Sequence, residues 1–101
     1  MTFSRMSDIA TRLTNGETVT TRLSGNSMTP RIKSRQLVTI EPCKLDDLKE
    51  GDAAFCKVRG NFYLHLVKQV GDDGRVLIGN NHGHINGWTR TVYGKLTKVE
   101  S

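Results

Sequence analysis

A serine placed on a sharp turn is the residue of this 101-residue chain with the clearest capacity for chemistry. Residues 23–30 read LSGNSMTP, so that Ser27 follows an extended run and precedes Pro30. Gly25 permits a close approach of the backbone, and Pro30 prevents the segment from continuing as a helix or a central strand. We therefore expect the Ser27 hydroxyl on a stiff, accessible support. Because a serine hydroxyl is a poor nucleophile at neutral pH, it would need a neighbouring base.

The segments that follow Ser27 extend this motif into a longer pattern. After Gly-x-Ser-Met-x-Pro come a Val/Ile-rich run ending in Glu-Pro (37–42), a Gly-Asp pair (51–52) and Tyr-Leu-His-Leu-Val (63–67). From about residue 23 to the C-terminus, the pattern resembles the signal-peptidase and LexA-like serine peptidase superfamily. The resemblance implies acyl transfer on an extended polypeptide that lies along a sheet edge, with small apolar pockets for its side chains.

The resemblance assigns the general base to His65. LexA-like and bacterial signal peptidases carry lysine at this place, whereas archaeal and endoplasmic-reticulum signal peptidases carry histidine. Histidine suits the task, since its ordinary pKa of about 6.5 leaves it mostly neutral at cellular pH. The oxyanion would be stabilised mainly by the backbone N–H of Ser27, with help from Asn26 or a neighbouring amide. Met28 would form a wall of the substrate site.

Two positions depart from the family pattern. Histidine-type members are similar to a Gly-Asp-Asn sequence after the next strand, where the aspartate orients the histidine, but this chain has Asn80 at that place. Asparagine can accept a hydrogen bond from the ring but cannot stabilise the imidazolium by charge, and the corresponding change in serine proteases costs about 10⁴ in rate. Leu66 stands where the family usually has arginine. Asn80 is the predicted orienting residue, and activity could be slow, substrate-assisted or absent.

Two functions from different classes remain open. The preferred function is a serine endopeptidase, a hydrolase without a cofactor, that cleaves a polypeptide in trans through Ser27 and His65. The alternative is a catalytically silent domain that binds protein or nucleic acid, favoured by Asn80 and by a net charge of +5. Nucleic acid has the weaker support, because the basic residues are spread along the chain without an aromatic-interleaved stripe. His82 and His84 match no zinc-site spacing, so no metal site is expected.

Periodicity predicts the elements that hold these residues. Met6, Ile9, Ala10 and Leu13 recur at helical spacing and predict one amphipathic helix over about residues 5–14. Alternating, β-branched runs predict strands at 18–23, 36–41, 53–59, 62–70, 75–79 and 90–99, a hairpin turn at 60–61, one helical turn within 44–50, a loop at 80–87 and a bulge at Gly94. The predicted fold is a mainly β, LexA/signal-peptidase-like single domain over residues 1–101, with its β core at about 18–100.

Chain properties limit the setting. No apolar run approaches the ~20 residues of a membrane-spanning helix and no signal peptide is evident, so we expect a soluble, cytoplasmic protein without a membrane anchor. Cys43 and Cys56 lack CxxC spacing and are expected to be reduced packing residues.

Between the helix and the first strand only residues 14–17 are free. That link spans at most ~14 Å, which is too short to cross the site, so the substrate is expected from another molecule.

Overall fold

This computed structural model describes residues 5–100. That part of the chain contains one α-helix and seven strands. The elements are α1 Met6–Thr14, β1 Val19–Arg22, β2 Leu37–Pro42, a 3₁₀ turn Leu45–Asp47, β3 Ala53–Val58, β4 Asn61–Val70, β5 Val76–Gly79, β6 Ile85–Thr89 and β7 Val92–Glu100. All strands join one antiparallel sheet in the order β1-β2-β7-β3-β4-β5-β6. The mainly β fold with one short helix is confirmed. Residues 1–4 and 101 of the predicted domain lie outside the described residues.

Helix α1 covers one face of the sheet with the apolar side that its periodicity predicted. Ile9, Ala10 and Leu13 are buried there, in a cluster with residues of β1, β2 and β3. The helix ends at Thr14 with Asn15 as its C-cap, and Gly16 follows with a φ of 87°, a value that glycine adopts without steric cost. No helix within residues 5–100 has the length and apolar character needed to cross a membrane.

The sheet curls around its central strand β3, which is buried on both faces. Phe55 packs into the cluster under α1, whereas the neighbouring Cys56 belongs to a second apolar cluster inside the curl. The Thr89 hydroxyl donates a 2.7 Å hydrogen bond to the Lys57 carbonyl and ties β6 back to β3. The curl brings the loop between β5 and β6 towards the chain that follows β1.

The β3–β4 hairpin turns one residue earlier than its sequence predicted. Arg59 and Gly60 occupy the turn with φ values of 51° and 85°, while Asn61 already pairs with Val58. Positive φ at both central positions is the geometry of a type I′ turn, whose twist matches that of the flanking strands. This turn sets the register that places His65 opposite Ala54.

The predicted loop at 80–87 is shorter than expected, because residues 85–89 form strand β6. The strand pairs with β5 at the edge of the sheet and includes Asn86 and Gly87, residue types whose presence had indicated a loop. In β7, the irregularity lies next to Gly94. Phe55 pairs with Gly94 and Cys56 with Val92, so Tyr93 is the extra residue of the bulge.

Candidate active site

The fold brings Ser27 and His65 into direct contact although they are 38 positions apart. The distance from Ser27 Oγ to His65 Nε2 is 2.9 Å. Ser27 follows strand β1 on a turn that closes with a 3.2 Å bond from the Thr29 N–H to the Asn26 carbonyl. His65 extends from the middle of β4 and is 8% exposed. A half-buried hydroxyl therefore meets an imidazole that is held on a rigid strand.

The other ring nitrogen of His65 contacts Asn86, a residue that sequence analysis did not identify. His65 Nδ1 lies 2.7 Å from Asn86 Oδ1. An amide oxygen only accepts hydrogen bonds, so Nδ1 carries the proton and the Nε2 lone pair accepts the Ser27 O–H. This is the tautomer that a general base needs in order to take the proton of a serine.

Asn80, the predicted orienting residue, does not contact His65, and that prediction is wrong. Its side-chain oxygen folds back onto its own loop, where it accepts bonds from the N–H groups of His82 (2.8 Å) and His84 (3.0 Å). The chain returns to the imidazole six positions later, at the start of β6. Ile85, Trp88 and Thr89 are residues that favour strands, and they were the sequence signal that Asn86 belongs to a strand.

The surroundings of His65 favour its neutral form. Burial lowers the pKa of His65 below its ordinary value, the hydrogen bond to Asn86 opposes that change, and the nearby His84 adds a smaller lowering. The Tyr63 ring stacks on the imidazole with centroids 4.8 Å apart. At neutral pH these surroundings favour the neutral ring, whose Nε2 lone pair is available as a base.

Two backbone N–H groups at the serine turn are available for an anionic oxygen. Within residues 5–100, the N–H groups of Ser27 and Met28 donate to no backbone or side-chain acceptor, whereas the Gly25 N–H donates to Ser34 Oγ at 3.0 Å. Unpaired N–H groups at the start of a turn attract negative charge. They are the candidate oxyanion donors. The Asn26 side chain lies exposed and contributes no such donor contact; its carbonyl closes the turn instead.

A cavity of about 350 Å³ opens beside Ser27 and His65. Apart from polar residues at the serine turn, its walls are mostly apolar and come from α1, the serine loop and β4: Met6, Leu23, Met28, Ile32, Phe62 and Leu64. Met28 is buried in the wall of this cavity, while Asn26 does not line it. The site thus combines a Ser–His pair with an apolar recess, which suits a substrate with an apolar side chain next to its reacting group.

The residues weighed for metal binding do not converge. Within the described part of the chain, no three His, Cys, Asp or Glu side chains form a group that could hold a metal ion. His82 Nε2 contacts the Asn26 carbonyl at 3.1 Å. Cys56 is buried, and burial raises the pKa of its thiol to about 12. Cys43 is half-buried, and burial is also the main cause that raises its pKa.

Comparison with known proteins places the chain in a family. A family model described as Peptidase S24-like matches residues 3–87, a range that contains Ser27, His65 and Asn86. The chain belongs to the Peptidase S24-like family. This confirms the resemblance to the LexA/signal-peptidase-like superfamily. A search among curated proteins and a search among solved structures each found no match.

Proposed function

We propose that this S24-like domain is a serine endopeptidase that cleaves an extended polypeptide. The observation that carries the proposal is the continuous hydrogen-bonded chain from Ser27 Oγ through the His65 ring to Asn86 Oδ1, at 2.9 and 2.7 Å. The amide oxygen of Asn86 accepts from His65 Nδ1–H, which leaves the Nε2 lone pair facing the Ser27 hydroxyl, as nucleophilic attack requires. Family membership and the apolar cavity beside the serine support the same activity.

The reaction follows from this arrangement. Ser27 Oγ bonds to the scissile carbonyl carbon as its proton passes to His65 Nε2, and the N–H groups of Ser27 and Met28 stabilise the oxyanion. When the C–N bond breaks, His65 returns the proton to the leaving amine. Water then attacks the acyl carbon and gives a proton to His65, which passes it to Ser27 Oγ as the bond between Oγ and the acyl group breaks. The products are a carboxylate and an amine, and the serine is restored.

Strand β4 offers an open edge on which an extended substrate can lie. Val58 and Asn61 flank a two-residue turn and form a hydrogen-bonded pair, so pairing with β3 alternates from Asn61 along β4. The N–H and C=O groups of Phe62 and Leu64 therefore point away from β3. On that side, pairing with β5 begins only at Leu66. A peptide strand placed there would align its main chain beside Ser27 and its side chains with the cavity.

We propose that the substrate comes from another molecule. The link between α1 and β1 is folded onto the end of the helix: the Gly16 N–H donates to the Leu13 carbonyl, and the Glu17 N–H donates to the Arg12 carbonyl, both at 3.0 Å. Residues 14–17 span at most ~14 Å when extended. They cannot reach across the cavity while helix and strand keep their places.

A second function is favoured by one observation, the neutral amide at Asn86. A carboxylate at this position would stabilise the imidazolium that forms during attack, whereas an amide only orients the ring. A member of the family that has lost catalysis and retains the cavity and open strand edge as a peptide-binding groove would have the same structure.

A fluorophosphonate probe distinguishes the two functions, because it bonds covalently to an activated serine. We expect labelling of the wild-type protein that disappears in Ser27→Ala and in His65→Ala. Ser24→Ala is the matched control, since Ser24 lines the same cavity but has no base beside it, and it should label like the wild type. Labelling that persists in Ser27→Ala would contradict the assignment of the nucleophile. Absence of labelling from about pH 6 to about pH 9, where histidine passes from charged to neutral, would favour the binding domain.

A further inference from the structure

The loop at residues 80–84 contacts the serine turn at two consecutive carbonyls. The Asn81 backbone N–H donates to the Ser27 carbonyl at 2.8 Å. The His82 Nε2–H donates to the Asn26 carbonyl at 3.1 Å and lies 3.0 Å from Thr29 Oγ1. A further bond joins Asn81 Nδ2 to the Thr29 carbonyl at 3.0 Å. Four contacts thus connect two adjacent residues of the loop to a turn of four residues.

The two carbonyls that are held in this way belong to the same peptide groups as the candidate oxyanion donors. In a planar trans peptide the C=O and N–H bonds point in opposite directions. The Asn26 carbonyl and the Ser27 N–H share one peptide plane, and the Ser27 carbonyl and the Met28 N–H share the next. A contact that fixes either carbonyl therefore also fixes the direction of the N–H on the other side of the plane.

We propose that His82 and Asn81 are positioning residues that aim the N–H groups of Ser27 and Met28 at the oxyanion. The proposal rests on the proposed peptidase function. It names the contacts that would keep the oxyanion site rigid. The same segment ends at Asn86, which orients the base. One stretch of seven residues, 80–86, thereby positions the base and both oxyanion donors.

The internal structure of the loop explains how an exposed histidine can hold a turn. The Asn80 side chain accepts the N–H groups of His82 and His84, and the Asn80 N–H donates to the His84 carbonyl at 2.9 Å. These bonds fix the backbone from which the His82 ring extends. Asn80 thus has a place in the site other than the predicted one, as the internal brace of the loop.

The kinetics of fluorophosphonate labelling test the proposal. We expect His82→Leu to lower the maximal labelling rate about 10-fold to 100-fold with little change in the half-saturating probe concentration, because outright loss of an oxyanion donor costs about 10²–10³ in rate. His82→Gln places an amide donor near the position of Nε2 and should recover most of the rate. Asn81→Asp, which replaces the Nδ2 donor by a carboxylate oxygen, should lower the rate in the same way. Equal rates for His82→Leu and the wild type would overturn the proposal.

His84→Leu provides the matched control, since its side chain makes no hydrogen bond within the described residues. Measured at about pH 8, where histidine is neutral, it should keep the wild-type rate. If the wild type takes no label at all, the proposed function fails and the positioning role is judged by ¹⁵N relaxation. The amides of Ser27 and Met28 should then become more mobile in His82→Leu and stay rigid in His82→Gln. Amides as rigid in His82→Leu as in the wild type would contradict the positioning role by itself.

Discussion

At the scale of single residues, the property that matters most is what holds the ring of His65. The amide oxygen of Asn86 selects the tautomer in which Nε2 carries no proton. A carboxylate oxygen would select the same tautomer, since either oxygen accepts from Nδ1–H. In the proposed reaction, charge would matter only when the ring takes the proton of Ser27 and becomes an imidazolium. The chain therefore has the geometry of a serine–histidine pair without the electrostatic support that a carboxylate would give.

Replacing that amide by a carboxylate should increase reactivity. We expect Asn86→Asp to raise the rate of fluorophosphonate labelling at least about 10-fold, since the reverse exchange in serine proteases costs about 10⁴. Asn80→Asp is the control, because the Asn80 oxygen accepts backbone N–H groups and a carboxylate oxygen can do the same. An Asn86→Asp protein that labels no faster than the wild type would show that Asn86 does not limit the reaction.

The lowered pKa of His65 makes stability depend on pH. Burial lowers this pKa in the folded state, so the unfolded chain binds the proton more tightly and acid favours unfolding. The contribution is fully present above the unfolded value of about 6.5 and is lost as the pH falls from there through the folded pKa. We expect the free energy of unfolding by urea to decrease as the pH falls below about 6.5, with a shallower decrease in His65→Gln. Parallel curves for the two proteins would exclude His65 as the source.

Among the secondary-structure elements, a close fit involves Gly94 of β7, which packs against β2 and helix α1. A Cβ added to Gly94 would lie 2.7 Å from the Glu41 carbonyl oxygen, 2.9 Å from Ile40 Cγ2 and 3.1 Å from Leu13 Cδ1. The first of these atoms is backbone and cannot rotate away. The close approach of β2 and β7 under the helix thus requires glycine at this position.

We expect Gly94→Ala to destabilise the protein by about 1–3 kcal/mol, the usual cost of forcing an extra carbon into packed surroundings. Thr97→Ala on the same strand is the control. Thr97 is exposed, and its hydroxyl makes one long bond of 3.4 Å, so the loss should stay near about 0.5 kcal/mol. Urea unfolding of the three proteins measures both values. Similar stability of Gly94→Ala and Thr97→Ala would mean that β2 and β7 can separate without cost.

At the scale of the whole molecule, the curled sheet determines which segments can enter the cavity. Helix α1 forms part of the cavity wall through Met6, and the link that follows the helix is bonded to the helix end. Residues 14–17 are therefore held at the end of the helix, and the proposed substrate would lie on the edge of β4 at Phe62 and Leu64.

This arrangement predicts that residues 14–17 are not cut in cis. Purified protein incubated at neutral and alkaline pH should keep its intact mass, and any Ser27-dependent cut should become faster with protein concentration, as a reaction between molecules does. Mass spectrometry over a dilution series, with Ser27→Ala as the control, makes the measurement. A cut in residues 14–17 whose rate is independent of concentration would contradict the argument from the length of the link.

The features that arise from neighbouring residues could be predicted from the sequence. The period of Met6, Ile9 and Leu13 predicts α1, whose bounds agree with the prediction within a residue, and the residues around Ser27 indicate a serine on a turn. These features are local, since helical faces and turns depend on residues a few positions apart. The motifs also indicated the family.

Which asparagine contacts His65 depends instead on the three-dimensional fold. Asn80 and Asn86 have the same side chain, and they differ in where the backbone carries them: one folds back on its loop, and the other lies in β6 against the imidazole. Strand β6 itself forms because an edge of β5 is available for pairing, a long-range condition that the asparagine- and glycine-rich sequence does not express. The contacts of Asn81 and His82 with the serine turn join segments more than fifty positions apart, so they depend on the curl of the sheet rather than on any local pattern.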